Sequence, residues 1–282
     1  MADSGKSSPA RYFGQQVRRA RAAAGWTLAE FGQRTGYDAG QVSRIETGRR
    51  PPTEMFATCC DRVFPDRGGW FAEFYAESRL WLATPAWFRG WTEHEQRAAV
   101  LCDWQPAVVT GLLQTEDYAR AVISAGPGAT AEQISGRLAA RMARQAILAR
   151  DDPPPPAATF LVDIAALRRC TGSAAVMSAQ CAHLAGIARL PSVTVQLVPD
   201  IAHAGLLGGF AIADAGAAYV ESIVAGQVFE DTETITALTV RFSTIRAEAL
   251  RASESLTLIE RMREAWKTGA SPAIAGTTAE TA

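Results

Sequence analysis

Residues 17–52, VRRARAAAGWTLAEFGQRTGYDAGQVSRIETGRRPP, hold two helix-start signals back to back. Thr27-Leu-Ala-Glu30 is a capping box, in which the Thr27 hydroxyl and the Glu30 carboxylate satisfy orphan amides reciprocally. Trp26 and Phe31 flank it at the hydrophobic-staple positions, and Gly36 is a natural left-handed residue for ending the helix near Thr35. Asp38-Ala-Gly-Gln41 repeats the pattern at once, with Tyr37 and Val42 as staple and Gly48 as the stop before Arg49-Arg50-Pro51-Pro52. Upstream, Tyr12–Ala24 reads as an arginine-rich helix with Phe13 and Val17 on its apolar side, closed by Gly25. Two short helices joined by a glycine-containing turn make a helix-turn-helix. Thr53–Val63 and Gly69–Leu82 supply two more amphipathic helices, which completes a five-helix bundle.

Working outward, charge separates this segment from the rest. The 282 residues carry 28 basic and 29 acidic groups, a net of −1. Residues 11–50, however, hold eight arginines against Glu30, Asp38 and Glu46, a net of +5, while residues 65–282 sum to −5. A basic N-terminal module on a mildly acidic body is the footprint of nucleic-acid binding attached to something else. Apolar residues make up 48%, enough for two packed domains at ~100–200 residues each. The expected boundaries are a disordered arm over 1–9, the helix-turn-helix domain over 10–82, a second domain over 84–267 and a disordered tail over 268–282. No apolar run approaches the ~20 residues of a membrane span, and MADSGKSSPA has no signal-peptide core, so no membrane and a cytoplasmic, nucleoid-associated location are expected. Five cysteines without a C-x-x-C pair read as reduced thiols rather than a zinc or disulfide framework.

The quoted stretch resembles the phage-repressor-like, xenobiotic-response-element (XRE) family of DNA-binding domains. That resemblance implies a buried structural salt bridge between Arg21 and Glu46. It also implies that the start of the third helix enters the major groove of double-stranded DNA, pointing Ala39, Gly40, Gln41, Ser43 and Arg44 toward base edges. The chemistry is compatible: Arg44 can pair bidentately with guanine and Gln41 with adenine. A capping-box role would instead turn Gln41 back to the backbone. Many members of the family carry a glutamine directly after the Thr of the second helix, where this chain has Leu28. Phosphate anchoring is then expected from Thr27, helix-terminal amides, Arg18, Arg49 and Arg50.

The remaining two-thirds carries Trp81, Trp87, Trp91 and Trp104 within 24 residues. They read either as core anchors or as an aromatic ligand pocket, and Trp87, Trp91, Trp104 and His203 are the candidate effector-pocket residues. Helices are expected over 93–101, from Thr115, over 131–149 and over 173–189, then over 232–250 and 253–267; short strands are expected at 159–163, 193–198, 209–214 and 218–224. Arg137, Arg141 and Arg144 form one stripe, read as solvated or internally paired. The fold class is an all-α N-terminal helix-turn-helix bundle followed by a C-terminal α+β domain with a small mixed or antiparallel sheet.

GLLQTEDYAR, RMARQAIL, LPSVTVQLVP and AYVES resemble an uncharacterised C-terminal domain found behind XRE modules in actinobacterial regulators, with Thr110 standing where a proline is common. The resemblance implies a small protein partner encoded nearby and room for a small-molecule effector of unknown identity, and a homodimer is expected because one short recognition helix touches too few base pairs to select a genomic site. No metal site, cofactor or catalytic constellation is expected, because His94, His183 and His203 lie in no ligand spacing and no nucleophile or phosphate-loop motif occurs. Three function classes follow: a dimeric regulator on a pseudo-palindromic operator, an adaptor whose C-terminal domain binds a protein while DNA binding is secondary, and an enzyme with a targeting module.

Overall fold

The computed structural model describes residues 8–214, 216–222 and 225–269, and the chain divides into two compact units, 1–84 and 85–282. The first is built from α1 (Pro9–Ala23), α2 (Leu28–Thr35), α3 (Ala39–Glu46), α4 (Glu54–Val63) and α5 (Trp70–Ala83). Ser8 caps α1 and proline occupies its first turn, so this helix starts three residues before its arginine pattern and takes in part of the expected arm. Residues 1–7 and most of the expected tail fall outside the described residues, and so does the side chain of Trp81. Both capping boxes form, and Gly36 ends α2 at φ +80°, a conformation only glycine adopts without strain.

The core of this unit is aromatic: Phe13, Phe31, Phe56 and Phe71 are buried with Val17, Val42 and Ile45. Burying each such side chain is worth roughly 1.5–3 kcal/mol. α1 crosses α3 closely at Gly14, where a Cβ would lie 2.2 Å from the Ile45 carbonyl oxygen. The start of α5 is held by Asp61, whose carboxylate accepts from the Phe71 and Ala72 amides at 3.0 and 2.7 Å.

The second unit runs α6 (Ala86–Arg97), β1 (Val100–Gln105), α7 (Glu116–Ser124), α8 (Ala131–Arg144), β2 (Ala157–Asp163), α9 (Ile164–Arg168), α10 (Ala174–Ile187), β3 (Val193–Val198), β4 (Phe210–Ala213), β5 (Ala217–Glu221), β6 (Gly226–Phe229), α11 (Thr232–Glu248) and α12 (Ala252–Thr268). The strands form one six-stranded mixed sheet in the order β3-β2-β1-β4-β5-β6, parallel on the β1–β3 side and antiparallel from β4 to β6. β1 therefore lies inside the sheet, although the sequence reading ran a helix through Leu101; the helix ends at Arg97. β6 was not expected at all. The helix expected over 131–149 is α-helical only to Arg144 and tightens to a 3₁₀ turn over Gln145–Leu148.

Strand alternation gives the sheet two different faces. One carries Leu101, Phe160, Val162, Val195, Ala211 and Tyr219 against Trp91 of α6, Met177 and Leu184 of α10, and Ile259 and Met262 of α12. The other carries Trp104, Leu161, Val198 and Phe210 against Phe242 and Ile245 of α11. The outer edge of β3 is closed by the α11–α12 junction: Leu197 donates to the Ser255 hydroxyl and accepts from the Leu250 amide, both at 2.9 Å. β6 ends the sheet on the other side with no strand beyond it among the described residues.

Candidate nucleic-acid interface

Arginine chemistry in the first unit is divided between an internal tie and an exposed surface. Arg21 reaches Glu46 with Nε and Nη2, at 2.6 and 2.8 Å, and spends Nη1 on the Trp26 carbonyl at 2.7 Å. The pair is largely enclosed, with side chains 14% and 5% exposed, and the Glu46 hydrogen bond raises the Arg21 pKa above its ordinary value. The tie joins the end of α1 to the end of α3. It also withdraws one base and one acid from solvent.

Arg18, Arg44, Arg49 and Arg50 are exposed, and none forms an ion pair among the described residues. Arg44 rises from the last turn of α3 and lies back along the helix, its Nη1 within 3.4 Å of where a Cβ on Gly40 would sit. Gly40 is also exposed, whereas Ala39, Gln41 and Ser43 are half-buried. Arg34 is different: it stacks over the Trp26 ring at 4.3 Å and donates to the Glu30 carbonyl at 3.0 Å, which holds it to α2.

The capping boxes constrain two of the sequence-derived contacts. Gln41 accepts from the Asp38 amide at 3.2 Å, so its side chain is turned to the backbone, with only its Nε2 donors left over. Thr27 donates its hydroxyl to Glu30 at 2.9 Å and accepts from the Glu30 amide at 3.2 Å, while its own amide also goes to Glu30. The α2 N-terminus is thus already neutralised by a carboxylate, whose pKa is lowered chiefly by the Thr27 amide. Thr27 has no spare donor in this state.

The four aromatic and histidine residues read as an effector pocket do not come together. Trp87 and Trp91 lie on the Tyr219 side of the sheet, 6.2 and 5.8 Å from that ring. Trp104 and His203 lie on the opposite side, edge to face at 5.1 Å. The reason is the period-2 alternation of β1, which sends Trp104 to the opposite face from Asp103 and Tyr219. His203 is fully used: Nδ1 accepts from the Gly205 amide at 3.1 Å and Nε2 donates to Asp163 at 3.3 Å. Trp104 Nε1 donates to the Gly205 carbonyl at 2.9 Å, so the pair pins the loop ahead of β4.

Of the arginine stripe, only Arg137 is exposed. Arg144 grips Glu95 at 2.7 and 3.2 Å, and Arg141 donates to Gln114 at 2.8 Å. Arg144 also acts electrostatically on the buried Asp103 of β1, which sequence reasoning did not single out. An acid at an inward position of a strand was its one available signal.

Comparison with known families agrees with this division. A family described as "Helix-turn-helix domain" matches residues 13–64, and one described as "Domain of unknown function (DUF5753)" matches residues 88–261, more than half of the chain. No curated protein and no solved structure matches.

Proposed function

This chain belongs to the DUF5753 family and carries a helix-turn-helix domain ahead of it, and we propose on that basis that it is a sequence-specific DNA-binding transcriptional regulator of XRE type, without catalytic activity. The observation that carries the reading is the exposed guanidinium set Arg18, Arg44, Arg49 and Arg50, none of which forms an ion pair among the described residues. In this reading α3 lies in the major groove of double-stranded DNA, with Ala39, Gly40, Ser43 and Arg44 toward base edges. Gln41 joins them through its amide donors. Arg18, Arg49 and Arg50 hold phosphates, and Thr27 contributes only by releasing Glu30.

One eight-residue reading helix selects too few base pairs for a genomic site, so the protein acts as a homodimer on a pseudo-palindrome with half-sites about 34 Å apart. The DUF5753 domain supplies the dimer contact and receives the signal. Gel shift across a salt series tests the reading: an operator fragment should bind with a steep negative slope in log affinity against log salt, from released counterions. Genome-wide pulldown of bound DNA should yield one motif. A flat salt dependence and no enriched motif would leave the adaptor.

One observation favours that second reading. Leu206 and Leu207, the latter 89% exposed, border a hollow of about 550 Å³ with Val240 and Arg241 on α11. A surface of this kind suits a small protein partner.

A further inference from the structure

We infer that the hollow between α11 and the loop of residues 203–208 is where a second copy of this chain docks, with the two α11 helices antiparallel across a two-fold axis at Ala237. The inference rests on the homodimer proposed above and gives that dimer its surface.

The loop presents apolar side chains to water in a fixed shape. Leu206 and Leu207 are 58% and 89% exposed, and Val240 on α11 is 62% exposed. Leucines on a loose loop would lose conformational freedom on docking, but this loop is tied down already. Trp104 Nε1 donates to the Gly205 carbonyl, the Gly205 amide donates to His203 Nδ1, and Arg241 Nη1 donates to the Ala204 carbonyl at 3.1 Å. Between loop and helix lies the hollow of about 550 Å³, lined also by Ala237 and Thr244. Exposed apolar side chains gathered beside a concavity mark a contact surface rather than ordinary solvated surface.

α11 supplies the charge pattern that selects the occupant. Only Phe242 and Ile245 of its 17 residues are buried, so most of the helix faces outward. Toward the hollow it places Glu233, Ala237 and Arg241 at i, i+4 and i+8, with Val240 and Thr244 beside them, all exposed. Neither Glu233 nor Arg241 forms an ion pair among the described residues.

An acid, a small residue and a base at equal spacing are complementary to the same row run backwards. In a two-fold contact residue i meets j and j meets i, so an axis at Ala237 sets Glu233 of each copy against Arg241 of the other. The two ion pairs lie about 6 Å along the helix on either side of the axis. They bracket an apolar centre made of Ala237, Val240 and the loop leucines from both copies. A methyl group at the axis lets the helices approach to the ~8 Å of close packing. A different protein would have to bring its own matched acid and base; a second copy already carries them.

The test uses the full chain without DNA, followed by sedimentation across a dilution series. The wild type should dimerise. Leu207→Asp and Arg241→Glu should each weaken self-association about tenfold or more, since every lost contact is lost twice and like charges replace opposite ones. Glu233→Arg combined with Arg241→Glu should restore the dimer, which a variant damaged in folding could not do. Cys170 is the exposed cysteine, so cross-linking is read in a Cys170→Ser background. There Ala237→Cys should join two copies through a disulfide under diamide, and Thr239→Cys, nearly opposite on the helix, should not. The proposal is overturned if the wild type is a monomer, if Leu207→Asp leaves the dimer intact, if the charge swap fails to restore it, or if both cysteine variants cross-link alike. A hollow that serves a different protein gives one of the first two results. A chain that dimerises in this way yet selects no DNA motif overturns the regulator reading and leaves this interface standing; a chain that selects a motif while its dimer ignores these substitutions does the reverse.

Discussion

Arg21 and Glu46, 25 residues apart, meet through two hydrogen bonds of 2.6 and 2.8 Å, and the same guanidinium reaches the carbonyl of Trp26. One side chain thus fastens the end of α1, the turn before α2 and the end of α3. Removing the acid strands a largely enclosed guanidinium. Glu46→Ala should therefore destabilise the helix-turn-helix unit by roughly 3 kcal/mol or more, against little for an exposed glutamate in mid-helix such as Glu77→Ala. Urea melts of the two variants check this, and equal midpoints would contradict it.

Arg44 makes no contact that the fold requires beyond its helix backbone. Arg44→Ala should leave the melt unchanged, cost about 1–3 kcal/mol of operator affinity and relax preference at one base-pair position. Selection from random DNA, wild type beside variant, reads this directly; identical selected motifs would remove α3 as the reader.

Asp103 gives a pH signature. Its folded pKa of about 7 lies above the ordinary 3.8, so the folded state holds the proton more tightly than the unfolded chain. Its contribution to stability is complete below the ordinary value and is lost as pH rises through about 7. Asparagine has no such dependence. The stability gap between Asp103→Asn and wild type should widen from pH 5 to pH 8, to a few kcal/mol, then level off. Melts across that range measure it, and parallel curves would show that the carboxyl titrates normally.

The fourth prediction concerns assembly. The helix-turn-helix unit spends its aromatic residues internally and presents arginines outward. A fragment of residues 84–282 should be dimeric by light scattering, and a fragment of residues 1–82 monomeric with far weaker operator binding. A monomeric larger fragment would move the dimer contact to the N-terminal helices.

How much was legible follows from where the information sits. The first three helices are written locally, since Thr27 with Glu30 and Asp38 with Gln41 state their own start points and Gly36 its own stop. β1 was not legible, because VLCDWQ interrupts its apolar run with Asp103, and its pairing partners are supplied from residues 157–162 and 210–213. β6 is four residues opening on a glycine, half-exposed at an edge, too short for its alternation to show. The arginine stripe of α8 has the spacing of a solvated face, and only Glu95 and Gln114, on other elements, draw Arg144 and Arg141 inward. The tryptophans cluster in sequence but divide in space, because β1 alternates while α6 does not. Asp103 reaches the buried face of the sheet only through the register of β1 with β2 and β4.

The unequal edges of the sheet limit how copies of this chain can add to one another. The α11–α12 junction, through Leu250 and Ser255, already fills the hydrogen-bonding positions of Leu197 on β3, whereas no strand pairs with the outer edge of β6 among the described residues. A molecule with one receptive edge can join one other and then has nothing further to offer. Any strand-on-strand association through β6 would therefore stop at a pair, since on the β3 side the place of Leu197 is taken by a serine hydroxyl and a leucine amide of the same chain.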